Sequence, residues 1–210
     1  MYKFSYFTEE DNEKVIAFIK ENSFAVVTGF NDQYPVASHL PLDVEVKEDG
    51  KIFLHGHLMK KTDHHLAFEK NENVLVIFNG PHTYVSASWY TNPQVASTWN
   101  YMAVHAKGKI TFTDEEGTYQ AIKSITNKYE GTDTAASFDK LPKEYVLKLI
   151  KAIVGFSIEV EKIDNVFKLS QNHGEENRHS IESHLKARGD EHSAAIAKQM
   201  GNLDNITPRL

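Results

Sequence analysis

No cysteine occurs anywhere in the 210 residues. That absence removes disulfides, thiol nucleophiles and thiolate metal sites together. Long apolar runs are missing too, and nothing approaches the roughly 18 apolar residues of a membrane-spanning helix. The opening MYKFSYFTEEDNEK lacks the basic-then-apolar order of a secretion signal. A cytoplasmic location without a membrane partner is therefore expected. Positive charge is in deficit, with 23 Lys and Arg against 29 Asp and Glu, a net charge of −6 and a pI near 6.0. The average surface repels nucleic acid, and no helix-turn-helix pattern is visible, so direct DNA contact is not expected. The phosphate loops GxGxxG and GxxxxGK[ST] are absent, which removes the Rossmann and P-loop readings. No GxSxG elbow frames the serines that stand near histidines, such as Ser38, Ser86 and Ser88.

What remains is ordinary in bulk: 40% hydrophobic and 25% charged residues, enough for one core or one core with an appended lobe. Its distribution is less ordinary. Asn79 to Gly108 holds both tryptophans (Trp89, Trp99), Tyr84, Tyr90, Tyr101, His82 and His105, with Lys107 as the lone formal charge. Aromatic rings combine large burial energy with polar tips that want partners, so such a stretch suits the wall of a planar-ligand site or a subunit contact.

Taken in order, Thr8 to Asn22 reads as a helix capped by Thr8, with Val15, Ile16, Phe18 and Ile19 at helical spacing. Phe24 to Thr28 is a β-branched strand. Tyr34 to Leu42 is a second one, confined to an edge by Pro35 and Pro41, because proline donates no ladder hydrogen bond. Val44–Val46 and Lys51–Gly56 form a hairpin about Glu48–Asp49–Gly50, and a helix follows from about Thr62 to Lys70. Asn73 to Phe78 is the strongest buried-strand signal, with Tyr84–Ser88 as its expected hairpin partner, and Tyr101 to Thr113 alternates as a further strand. Helices over Glu115–Tyr129 and Pro142–Lys151 flank a polar loop. Ala152–Glu161 returns as a strand that Val166–Leu169 extends, and Glu175–Met200 is helical with a break at Gly189. Asn202 to Leu210 reads as a tail. The pattern predicts an α+β protein, mainly β: a small closed or half-closed antiparallel barrel with flanking helices and a helical C-terminal region.

The histidines invite a metal reading, since His55 and His57 share one face of a strand. Yet no acidic residue lies inside that cluster, and adjacent His64 and His65 cannot share a helix face. Hydrogen bonding to a ligand or to backbone is the better reading, and no metal is expected. Lys60 and Lys61 lie just past that strand, at a helix start, where ammonium groups and free N–H groups make a phosphate site. Two solvated lysines would be the bland alternative. Ser38-His39 and the aromatic stretch shift the balance toward a phosphate anchor near a ring wall, which describes FMN better than a dinucleotide.

The blocks ASHLPL, GHLMKK, VLVIFNGPHTYVSASWY, TWNYMAVHAKG, AIVGFSIEV and FKLSQN, in that order, closely resemble the PaiB family of FMN-binding negative transcriptional regulators. The resemblance runs from Tyr6 to about Leu185. It implies a split barrel of the pyridoxamine-phosphate-oxidase type, a homodimer with FMN at the subunit interface. By position it implies that Lys60 and Lys61 grip the phosphate and that Ser38, His39 and Leu40 run along the isoalloxazine ring. Likewise His55 and His57 line the ribityl chain, and Trp99, Asn100 and Tyr101 meet the cofactor across the dimer, with Trp89 and His105 completing the aromatic set. Split-barrel oxidases usually place an arginine in the phosphate cluster. Only lysines stand here, and an ammonium cannot make the bidentate fork. Some split-barrel relatives bind haem instead, for which His39, His55, His57, His82 and His105 are the candidate axial ligands. The expected domain runs over residues 1–170, including a helical insertion at about 115–151 and the returning strand, followed by a C-terminal helical extension over 171–210. Either a negative regulator or a flavin-dependent redox protein follows from this resemblance, with the substrate open.

Overall fold

A computed structural model describes residues 1–2 and 4–203. The strands are β1 (Phe24–Phe30), β2 (Pro35–Pro41), β3 (Asp43–Val46), β4 (Ile52–Met59), β5 (Asn73–Val85), β6 (Thr98–Phe112) and β7 (Ile153–Lys168). The helices are α1 (Asn12–Glu21), α2 (Asp63–Lys70), α3 (Glu115–Glu130), α4 (Lys143–Leu149), α5 (Glu175–Arg188) and α6 (Glu191–Leu203). The α+β class expected from the pattern is the one observed, with the strands in a single antiparallel system of order β2-β1-β5-β6-β7-β4-β3. From residue 204 onward, the expected tail lies outside the described residues. Asn202 and Leu203 belong to α6.

Two corrections concern element boundaries. The first helix begins at Asn12, not after Thr8, because the Asp11 carboxylate accepts the N–H groups of Glu13 (3.0 Å) and Lys14 (3.4 Å), leaving Thr8 to donate to the Phe4 carbonyl. The second concerns Asn73–Phe78 and Tyr84–Val85, which are parts of one strand, β5, rather than the two arms of a hairpin. The remaining strands and helices stand close to where the pattern puts them. Asp114 caps α3 by accepting Gly117 N–H at 2.8 Å, and Gly189 ends α5 in the left-handed region at φ 74°.

The chain forms two compact units. One comprises residues 19–78 and 105–163, the other residues 1–18, 79–104 and 164–210. The first holds β1–β4 with segments of β5, β6 and β7, and its topology forces curvature. Strands β2 and β3 stand at opposite ends of the strand order, yet only Leu42 separates Pro41 from Asp43. A flat sheet of seven strands at roughly 4.8 Å spacing could not bring its edges that close, so this sheet curls into a barrel. Leu42 is fully buried, and Leu54, Phe156 and Ile158 are buried with it. Gly56 marks the inside wall: a Cβ there would stand 2.7 Å from the Phe156 ring and 2.9 Å from Leu42. Helices α3 and α4 carry a small apolar cluster of their own, in which Phe138, Val146 and Ile150 pack with Tyr119 and Ile122.

The second unit is built from the N-terminal residues, the far portions of β5–β7, and α5 with α6. Phe18 meets Phe167 at 5.1 Å between centroids. Buried Asn100 exchanges hydrogen bonds with Ser170 (2.9 and 3.1 Å), and buried Thr83 bonds Ser193 at 2.9 Å. Such paired polar groups favour one arrangement of the backbone, and further partners support them, Arg188 donating to Thr83 at 3.0 Å and Ser193 donating to Asp190 at 2.6 Å.

Candidate functional site

The site is set by where the β4–β7 ladder ends. Met59 stands opposite Ile153, and the next step is a hydrogen bond of 2.9 Å from Lys60 N–H to the Ala152 carbonyl. Beyond it the chain turns sharply. Lys61 adopts φ 64°, left-handed backbone that costs a non-glycine residue roughly 1–2 kcal/mol. Two contacts hold it there. Lys61 N–H donates to His65 Nδ1 at 3.4 Å, and the Thr62 hydroxyl donates to the Met59 carbonyl at 3.0 Å while capping α2. Strain retained in this way marks a position worth its cost.

This turn opens on a cavity of about 580 Å³ lined by Lys60, Lys61, His65, Phe112, Lys151 and their neighbours. That volume lies within the range of about 300–1,000 Å³ typical of small-molecule pockets. His65 and Phe112 stack obliquely, centroids 4.9 Å apart, to form an aromatic corner. The charges are unevenly committed. Asp114 is used by the α3 cap, and Glu69 lies 3.6 Å from His65. Among the described residues no carboxylate pairs with Lys60, Lys61 or Lys151, whereas Lys51, Lys109 and Lys123 of the same unit each meet one (2.7, 2.6 and 3.2 Å). Three unpaired ammonium groups on one cavity, which Glu69, Asp114 and Glu115 also line, are a candidate donor set for an anion. They fit the phosphate of FMN, as point charges rather than as a fork.

Of the residues singled out from sequence, Lys60 and Lys61 line this cavity. The others of the same unit do not. Ser38, His39 and Leu40 lie on the edge strand β2, opposite Val27, Val26 and Ala25, with His39 exposed. His55 and His57 point away from the barrel interior, since Gly56 between them points inward. His55 Nε2 is bonded to Glu45 at 2.9 Å. His57 faces Gly155, which lies against Thr118 of α3 and donates to its hydroxyl at 2.9 Å. His105 is half-buried on β6. None of the five histidines considered for haem, His82 included, lines the cavity.

Burial holds the His57 pKa below the ordinary 6.5. As pH falls below about 6.5, the unfolded chain binds the proton first, so the stability His57 contributes at higher pH is lost through the folded pKa. His57→Gln should therefore flatten the fall of Tm between about pH 7.5 and 5.5. Identical slopes in thermal melts of variant and wild type would rule this out.

The second unit holds Trp89, Trp99, Asn100 and Tyr101. The Trp89 ring stacks on His184 (5.1 Å, 13°) and carries the Arg188 guanidinium at 4.7 Å. Trp99 is 53% exposed and meets the Tyr84 ring edge-on at 6.2 Å. Asn100 is fully buried in the bond to Ser170. Burial raises the Tyr101 pKa, with a smaller contribution from Tyr2. Lys168 donates to the Thr98 hydroxyl and to the Trp99 carbonyl, and burial lowers its pKa.

Sequence reasoning missed Lys151, His65 and Phe112. Lys151 sits at the end of a helical run, where a lysine signals nothing. Only the pairing of β4 with β7, 100 positions apart at Gly56 and Phe156, carries it to Lys60.

A family model described as "Putative FMN-binding domain" matches residues 1–162. The "Protease synthase and sporulation protein PAI 2" of Bacillus subtilis (strain 168) is 36% identical over 201 residues, spanning 95% of this chain and 96% of that protein. Among solved structures, the FAD and heme binding protein from Mycobacterium smegmatis superposes with a TM-score of 0.59 at 12% identity, over 77% of this chain and 73% of that one. The flavocytochrome Anf3 from Azotobacter vinelandii gives 0.59 at 12% identity, over 80% and 72%. At such identities the structural likeness is one of fold, a split barrel.

Proposed function

Because the chain belongs to the PaiB-type family of FMN-binding-domain proteins, we propose that it is a flavin-binding split-barrel protein holding FMN by its phosphate at the Lys60–Lys61 turn. The observation that carries this is the set of unpaired ammonium groups on a cavity of ligand size, held on a turn with strained backbone. FMN, when bound, supplies hydride or single-electron chemistry. The chain's part is to bind and orient: Lys60 and Lys61 neutralise the phosphate in the cavity, and Ser38–Leu40, His55 and His57, which lie outside it, bound the part of the flavin that extends beyond. Two copies form the working unit. Trp99 and Tyr84 are too large and apolar-faced to be left at 53% and 41% exposure, and a second copy covers them. In the cell the protein acts in the cytoplasm as a negative regulator, through a protein partner rather than by reading DNA, consistent with its net charge of −6.

Titration of ligand-free protein with FMN, followed by quenching of flavin fluorescence, tests the central point, with light scattering on the same sample to read the mass. Saturable binding by a species of twice the chain mass is expected. Absence of FMN binding at micromolar protein would sink the flavin reading, and a monomer would sink the dimer.

A further inference from the structure

The last paired step of the β4–β7 ladder does more than present two lysines. Met59 faces Ile153, and Lys60 N–H bonds Ala152 O. Lys60 and Lys61 stand on one turn and Lys151 on the other, and this one backbone hydrogen bond clamps the two turns together. Like charges gathered on one cavity repel. This chain answers some cations with carboxylates, Lys128 with Asp43 at 3.4 Å and Lys186 with Glu182 at 2.6 Å, and leaves others, such as Lys20 and Lys148, without one among the described residues. At the cavity it leaves all three so, although Glu69 and Glu115 line the same walls. Three cations held together and left without carboxylate partners are balanced most simply by an anion between them.

We propose that Lys151 is the third arm of a phosphomonoester clamp, closing on the phosphate from the side opposite Lys60 and Lys61. This rests on the flavin reading above and adds to it that the segment between β6 and β7 takes part in ligand selection. Lys151 stands at the junction of α4 and β7, on the single turn Ile150–Ala152. Ile150 is 2% exposed and packs into the cluster of Phe138 and Val146. The helices of this segment therefore hold the lysine in place from behind, while the Lys60–Ala152 hydrogen bond holds its turn from the front. With a compact point charge at each of three corners, the clamp selects a dianionic phosphate monoester. It discriminates against the same ring system lacking the phosphate, because riboflavin would leave all three ammonium groups without an anion.

The test compares FMN with riboflavin on wild type, Lys151→Ala and Lys151→Arg, by fluorescence titration at fixed ionic strength. Wild type is expected to prefer FMN by at least about tenfold, one to two charge-assisted contacts. Lys151→Ala should lose about fivefold or more in FMN affinity with riboflavin unchanged, and Lys151→Arg should recover most of it. A purely structural role would weaken both flavins together, and that result would overturn the proposal. An unaltered FMN preference in Lys151→Ala would overturn it while leaving the flavin reading intact. Equal affinity of wild type for the two flavins would remove the phosphate reading itself, and the clamp with it.

Discussion

Phe156→Ala is expected to lower the free energy of unfolding by about 3–5 kcal/mol, the range found when a buried aromatic is truncated to a methyl group. Phe156 is 1% exposed, faces Gly56 across the β4–β7 ladder, and fills the volume that the missing Gly56 side chain leaves open. Two features keep the expected loss near the upper end. The space lies inside a closed wall of strands, which relaxes less than a surface layer. It is also bounded by Leu42, the single residue joining the two edge strands, so collapse into the void would pull on the closure itself. Urea unfolding monitored by far-UV circular dichroism would give the value. A loss below about 1.5 kcal/mol would show that the interior repacks freely and that Gly56 is not bearing on the ring. Gly56→Ala probes the same contact from the other side. Its methyl group would stand 2.7 Å from the Phe156 ring, so it should destabilise in wild type and much less beside Phe156→Ala.

Removal of both Lys60 and Lys61 by alanine is expected to weaken FMN binding by at least tenfold, about 1.4 kcal/mol. Two charge-assisted contacts could each contribute more than that. Both side chains are exposed, however, so solvent screening reduces the expected value. The fold should tolerate the change: neither lysine makes an ion pair among the described residues, and Lys60 spends its backbone N–H on Ala152, which alanine retains. The loss should shrink as salt is raised toward 0.5 M, because the Debye length falls to roughly 4 Å. An affinity for FMN equal to wild type at low salt would move the phosphate away from this turn.

Much of the fold is readable because the strands announce themselves locally. FAVVT and NVLVIF are β-branched runs that no helix wants, and Pro35 and Pro41 bracket β2 at the sheet edge as the missing N–H groups require. The misreading of β5 has a local cause as well. Asn79-Gly80-Pro81 carries turn chemistry. The strand runs straight through it because Gly80 is demanded by a neighbour: a Cβ there would stand 2.4 Å from the Phe18 ring. Close approach and chain reversal both select glycine, and the sequence does not separate them. The candidate site divides the same way. Lys60 and Lys61 sit at a strand end before a capped helix, a local arrangement that could be seen. Lys151 becomes a neighbour only through pairing between distant strands, and His65 is one of two adjacent histidines. Helix geometry gives it the cavity, while His64 turns to Thr62 and Asp63 (3.0 and 3.2 Å).

The pairing of β4 with β7 also sets a timetable. Gly56 lies opposite Phe156, so on a ribosome adding about 5–20 residues per second β4 waits roughly 5–20 s for its partner to be made. Through that interval only β3 can cover one side of β4, and the other side is an open edge beside Leu54 and Leu58, both destined for burial. His55 and His57, flanked by Phe53 and Met59, put polar groups on the outward row of that nascent hairpin, and Lys60 and Lys61 charge its open end. Residues read above for what they hold in the finished molecule thus have an earlier duty, as guards of an unfinished one.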